Sequence, residues 1–188
     1  MAMCATDDRE RGFTVLEVVI ALLLIVTAAA GVATLFAVSL RATSAARQQT
    51  STTALAIQKL EQLRALTWGV DESGLPVSDL QTNLSLDPPG SGGSGLRPSP
   101  VDTLDVNTDG YVDFLDGGGA WIAGGTTAPP SAVFVRRWRV ESLPDDPADT
   151  LVLHVRVTTF QGAGSKGLPS GRLPAEARVV SVMTRKAR

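Results

Sequence analysis

Residues 12–40 read GFTVLEVVIALLLIVTAAAGVATLFAVSL, and the fold turns on this stretch. From Phe13 to Leu40 it runs for about 28 residues, more than the roughly 20 apolar residues a spanning helix needs. It holds no proline and a single charge, Glu17. The run therefore predicts a transmembrane helix over 13–40. An ionised acid in hydrocarbon is costly, about 2.5–3.5 kcal/mol for Asp on insertion scales, so Glu17 calls for a partner.

The segment before the helix, residues 1–12, is polar. This order of polar tip and then apolar helix reverses that of a secretory signal. Arg11, Gly12, Phe13, Thr14, Val15, Leu16 and Glu17 together form a glycine-terminated leader followed by an F-T-x-x-E opening. At these residues the chain resembles the type IV pilin superfamily. The resemblance implies cleavage between Gly12 and Phe13 by a prepilin peptidase and methylation of the new amino terminus on Phe13. It also implies assembly with other pilin or pseudopilin subunits, with Glu17 facing a neighbour's freed ammonium group. Such a pair of charges, each costly alone, would set register more than it would add net stability. Arg9 and Arg11 flank one end of the run and Arg41 and Arg47 the other, so the positive-inside rule leaves orientation open. The resemblance alone implies a cytoplasmic leader, a single pass through the inner membrane and a head outside the cytoplasm.

The rest of the chain is bounded by composition. It has 188 residues and a formal net charge of −2, with no Lys/Arg-rich run, so nucleic acid is not directly indicated as a partner. The only cysteine, Cys4, lies in the leader, which leaves no disulfide to the processed chain. Beyond Leu40 neither Gly nor Pro occurs until Gly69, so residues 41–68 predict an amphipathic continuation of the helix. Phe13 to Thr67 is then about 55 residues, or about 80 Å at 1.5 Å per residue. Leu55, Ile57, Leu60, Leu63 and Leu66 supply the apolar stripe, and Arg47, Gln58, Lys59, Glu61 and Arg64 are among the wet positions. Residues 69–100 are rich in Gly, Pro and Ser and read as a long loop or linker. Neither GSGGSG nor the later GGGAWIAGGTT has the context of a phosphate or dinucleotide loop.

Residues 101–188 read as a β-rich head. Within it Asp105 to Asp116, DVNTDGYVDFLD, puts oxygen side chains at places one, three, five, nine and twelve, with Gly110 sixth. Those are the places an EF-hand-type loop uses, so Asp105, Asn107, Asp109, the Tyr111 carbonyl, Asp113 and Asp116 are candidate ligands for Ca²⁺. The terminal Asp in place of Glu resembles dockerin-like calcium loops. An Asp-Gly turn with solvated acids around it is the competing account.

Three β-branched runs follow, at 131–141, 150–160 and 177–185. In the middle one Leu151, Leu153, Val155 and Val157 alternate with Val152, His154, Arg156 and Thr158, which predicts an antiparallel meander with its apolar face on the helix. The only histidine, His154, falls on the wet face as a plain surface residue. Arg136, Arg137 and Arg139 read as solvated strand positions, with Glu141 and Asp145 or Asp146 as cross-strand partners. No set of side chains suggests an active site, so an enzyme is not expected.

The expected fold is α+β, a long transmembrane-to-amphipathic helix packed on a small antiparallel sheet, pilin-like. The carboxyl-terminal strands also resemble, in outline, minor pilins of the pilus-modification kind and related pseudopilins of type II secretion. The expected function is a minor subunit assembled into, or priming, a pilus or pseudopilus. A calcium-dependent adhesin or ligand-binding head exported on a pilin helix is the alternative.

Overall fold

The computed structural model describes residues 13–80, 93–160 and 175–185. The leader with its Gly12 cleavage position, and much of the glycine-serine run, lie outside the described residues. The chain divides into two compact units, Met1–Ser44 and Ala45–Arg188.

Helix α1 (Val15–Arg64) supplies what is described of the first unit and opens the second. Thr14 caps it, its hydroxyl accepting the Glu17 N–H at 3.3 Å, in the Ser/Thr-x-x-Glu spacing of a helix start. Every described residue of the first unit is exposed, including Leu22, Leu23, Leu24, Ile25 and Phe36. The helix is long and apolar enough to cross a membrane. Its threonines bond their own turns, Thr27 to the carbonyls of Leu23 and Leu24 at 3.0 Å and Thr34 to that of Gly31 at 2.7 Å. Hydroxyls in an apolar helix are satisfied in this way without water.

In the second unit α1 is followed by a small hairpin, β1 (Trp68–Val70) and β2 (Pro76–Ser78). A five-stranded antiparallel sheet comes next: β3 (Val112–Leu115), β4 (Trp121–Gly124), β5 (Phe134–Leu143), β6 (Asp146–Thr159) and β7 (Glu176–Thr184). Its order is β4-β3-β5-β6-β7, so the expected meander forms and β3 and β4 extend it on one side. Register follows the alternation: Leu151, Leu153, Val155 and Val157 are fully buried, and Val140 and Trp138 lie opposite Leu153 and Val155. These side chains pack with Ala56, Leu60, Leu63 and Leu66 in one core. Burying aliphatic side chains on both partners, at about 1.5–3 kcal/mol each, holds this half of the helix to the sheet. A smaller cluster, Val112, Phe114, Ala132 and Val135, fills the other face of β3 and β5.

Three expectations change. The helix ends at Arg64, a turn before Thr67, because Thr67 N–H turns to the Asp79 carboxylate at 2.7 Å and the chain enters β1. The stretch read as a loop from residue 69 opens with the β1–β2 hairpin, where Asp71 accepts the amides of Ser73 and Leu75 and Gly74 takes φ 79°. Further on, Leu96 is buried and Ser99 exchanges hydrogen bonds with Val140, completing the edge of β5 beyond the end of β3. Ile57 leaves the apolar stripe and is 47 % exposed on the helix flank, while Ala56 and Thr52 take the inward places.

Candidate functional site

Glu17 stands in the third position of α1, in a turn otherwise built of Val15, Leu16 and Val18. Its backbone is tied to Thr14, but its carboxylate has no partner among the described residues. Phe13, which would follow the cleavage position, is exposed. One carboxylate is thus presented on an exposed apolar helix, close to the start of the described chain.

Five of the six candidate calcium ligands are engaged in separate contacts. Asp105 pairs with Arg156 of β6, and Asn107 accepts from Arg137 at 2.9 Å while donating to the Thr126 carbonyl. Asp109 is exposed, in a turn where Gly110 takes φ 78° and where a Cβ on that glycine would strike Ser94 Oγ. The Tyr111 carbonyl accepts the Trp138 amide at 3.1 Å. Asp116 accepts the amides of Gly118 and Ala120, both at 2.8 Å, in a turn of its own. Among the described residues no three His, Cys, Asp or Glu side chains could share a metal ion. The residues therefore do not fit a calcium loop as arranged here. Strand β3 takes residues 112–115 into the sheet, and its period of two sends Asp113 to the helix side, away from the loop's other acids.

Asp113 instead sits in a buried charge cluster. Its Oδ2 accepts from Lys59 Nζ at 3.1 Å and from Arg136 Nη2 at 2.8 Å and Nε at 3.2 Å. All three side chains are at most 5 % exposed. Arg136 also donates to Gln58 Oε1 at 3.1 Å and to the Leu55 carbonyl, and Lys59 lies 3.6 Å from the centre of the Trp138 ring. Two cations thus share one carboxylate. The Lys59 pKa is lowered from 10.5 to about 8, chiefly by burial, with Asp113 opposing the shift and Arg136 adding to it. Lys59 and Arg136 had both been expected at wet positions; register places them inward, Arg136 next to Trp138 and opposite Val157. No sequence signal marks this cluster, since Lys59 and Arg136 each read as an ordinary surface charge and Asp113 reads as part of the candidate calcium loop.

Comparison with known proteins adds one match. Residues 7–33 match the family model described as the prokaryotic N-terminal methylation motif. The chain carries the signature of type IV pilins and pseudopilins. No curated protein and no solved structure matches it.

The pilin signature covers Gly12, Phe13 and Glu17 and stops inside the apolar helix, so the methylation motif includes the acid that has no partner among the described residues. In the pilin-like head the other expected residues do structural work. Arg139 pairs with Glu141 at 3.0 Å, and Asp146 accepts from Thr150. Burial, reinforced by Arg178, lowers the His154 pKa, which keeps the ring neutral at pH 7, and Glu141 at 3.9 Å is too far to hydrogen-bond it.

Proposed function

We propose that this chain is a minor subunit of a type IV pilus or of a type II secretion pseudopilus. It is cut between Gly12 and Phe13 by a prepilin peptidase, methylated on the Phe13 amine and assembled through its helix. The observation that carries the reading is the Glu17 carboxylate, without a partner among the described residues, on an exposed apolar helix that bears the methylation motif. An acid in hydrocarbon needs a countercharge. Cleavage creates one, the Phe13 ammonium, four residues from the same position in each copy of the helix. A helix shifted along its neighbour brings one subunit's ammonium to the other's carboxylate, and the pair then selects a single stagger. The subunit rests in the inner membrane, leader inside and head outside, until it is assembled. A minor role accords with a processed chain that has no cysteine and carries a long irregular insertion before its sheet.

The reading is tested by co-expression with a prepilin peptidase and intact-mass measurement. A mature chain beginning at methylated Phe13 is expected, and assembled material that retains Met1 would overturn it.

A further inference from the structure

The two edges of the sheet differ. Edge strand β4 has four residues, all half-buried. Edge strand β7 has nine, and among the described residues nothing pairs with its outer side. Long edges are normally blunted by proline, lysine, a bulge or a covering element. β7 has no proline or lysine, its register with β6 is unbroken, and residues 179–184, VVSVMT, are uncharged and rich in β-branched side chains. Val180 and Val182 are 53 % and 59 % exposed on the face turned from α1.

A trough runs beside this edge. At one end Gln49 Nε2 donates to the Glu176 carbonyl at 2.9 Å. At the other, Glu61 and Arg64 of α1 face Met183 and Thr184 across a hollow of about 390 Å³. Exposed Ile57 lies on α1 between Gln49 and Glu61, in a second, open hollow of about 360 Å³ lined by α1 alone, with Gln49, Thr53 and Ala54. Beside β7, α1 therefore offers the Gln49 contact at one end, the Glu61 and Arg64 hollow at the other, and exposed Ile57 at a helix position between them.

We infer that the β7 edge is a docking site for an extended, acid-bearing segment of a different polypeptide, which adds as a sixth strand beside α1. Main-chain hydrogen bonds to β7 would give affinity, and alternate side chains would meet Ile57 on one face and Val180 and Val182 on the other. Charge sets the partner's chemistry. Arg178 is exposed on the outer face of β7, has no ion pair among the described residues and lies on the same face as Arg139 and Arg156, so an incoming strand gains from a carboxylate opposite it. A second copy of β7 does not supply this. Antiparallel self-pairing over all nine residues puts Val182 opposite Arg178, and the register that brings Glu176 to Arg178 leaves Val180 to Thr184 uncovered.

The test uses the full chain in detergent micelles and a fluorescent nine-residue peptide alternating valine and threonine, with one glutamate placed to face Arg178. Saturable binding is expected. N-methylating alternate amides along one edge of the peptide should abolish it, while methylating the opposite edge should not. Arg178→Glu, at an exposed position that leaves the core intact, should weaken the acidic peptide about fivefold and favour its lysine counterpart by a similar factor, the scale of one cross-strand charge pair. The inference is overturned by no binding up to about 1 mM, by equal tolerance of both methylation patterns, or by indifference to Arg178→Glu. Self-association of the full chain that Val180→Lys abolishes would overturn it too, in favour of a second copy.

Discussion

Glu17 and Asp113 are two carboxylates set in apolar surroundings, and the chain treats them in opposite ways. Glu17 sits on the exposed first half of α1 with no partner for its carboxylate among the described residues, and Asp113 is buried between the second half of α1 and the sheet with two cations on one oxygen. On the function proposed above, the contrast separates a charge to be completed by another molecule from one completed by the fold. The first kind is free to specify assembly because leaving it unsatisfied within the chain does not unfold anything. The second is bound up with the stability of the head, because removing any member strands the others away from water.

The largest effect should come from the first carboxylate. Glu17→Ala is expected to insert and be processed, since the apolar run alone suffices for insertion, but to be lost from filaments. Wild-type incorporation of that variant, measured by immunoblot of sheared filaments, would break the contrast. Gly12→Trp should leave the leader on, which keeps the Phe13 ammonium from forming and should give the same loss by a different route.

The second carboxylate should act on the head alone. Asp113→Ala leaves Lys59 and Arg136 buried without countercharge and should cost about 3–5 kcal/mol, a melting point lower by roughly 10 °C in calorimetry. Replacing all three together, Lys59→Met, Asp113→Leu and Arg136→Met, should recover most of that loss, because an apolar set of similar volume avoids the desolvation of three charges. Equal losses in the single and triple variants would mean that the cluster matters through packing and not through charge.

A smaller effect should appear with pH. The folded chain releases the Lys59 proton near pH 8 and the unfolded chain near 10.5. Between those values the unfolded state binds more protons, so this group's contribution to stability rises with pH. The penalty of the buried charge is full below pH 8 and relieved by pH 10.5, a change of at most about 3 kcal/mol. The difference in melting point between the wild type and Lys59→Met, followed from pH 7.5 to 10, should report it, and a flat difference would contradict the burial of a charged Lys59.

The smallest expected effect is none. Millimolar calcium should leave the melting temperature unchanged, because Asp113 is held by cations and Asp105, Asn107 and Asp116 serve separate contacts. A calcium-dependent rise in melting temperature would mean that the loop can gather its acids after all and would dissolve the contrast between the two carboxylates.

What the sequence determined by itself was whatever depends on neighbours in the chain. The apolar run, the Gly12-Phe13-Glu17 spacing, the helix through Arg64 and the alternation in β6 all rest on local periodicities, and each is present in the fold or in the methylation match. The turn at Gly110 was legible for the same reason. Only tertiary structure decided where Asp113, Lys59 and Arg136 went, which strands form the edges of the sheet among the described residues, and that Leu96 in a glycine-rich stretch is buried. A carboxylate at the ninth place of a plausible calcium loop and a carboxylate on the inward side of a strand look alike in the chain. The choice between them depends on cations 54 residues before and 23 residues after Asp113, and no local pattern carries contacts at that separation.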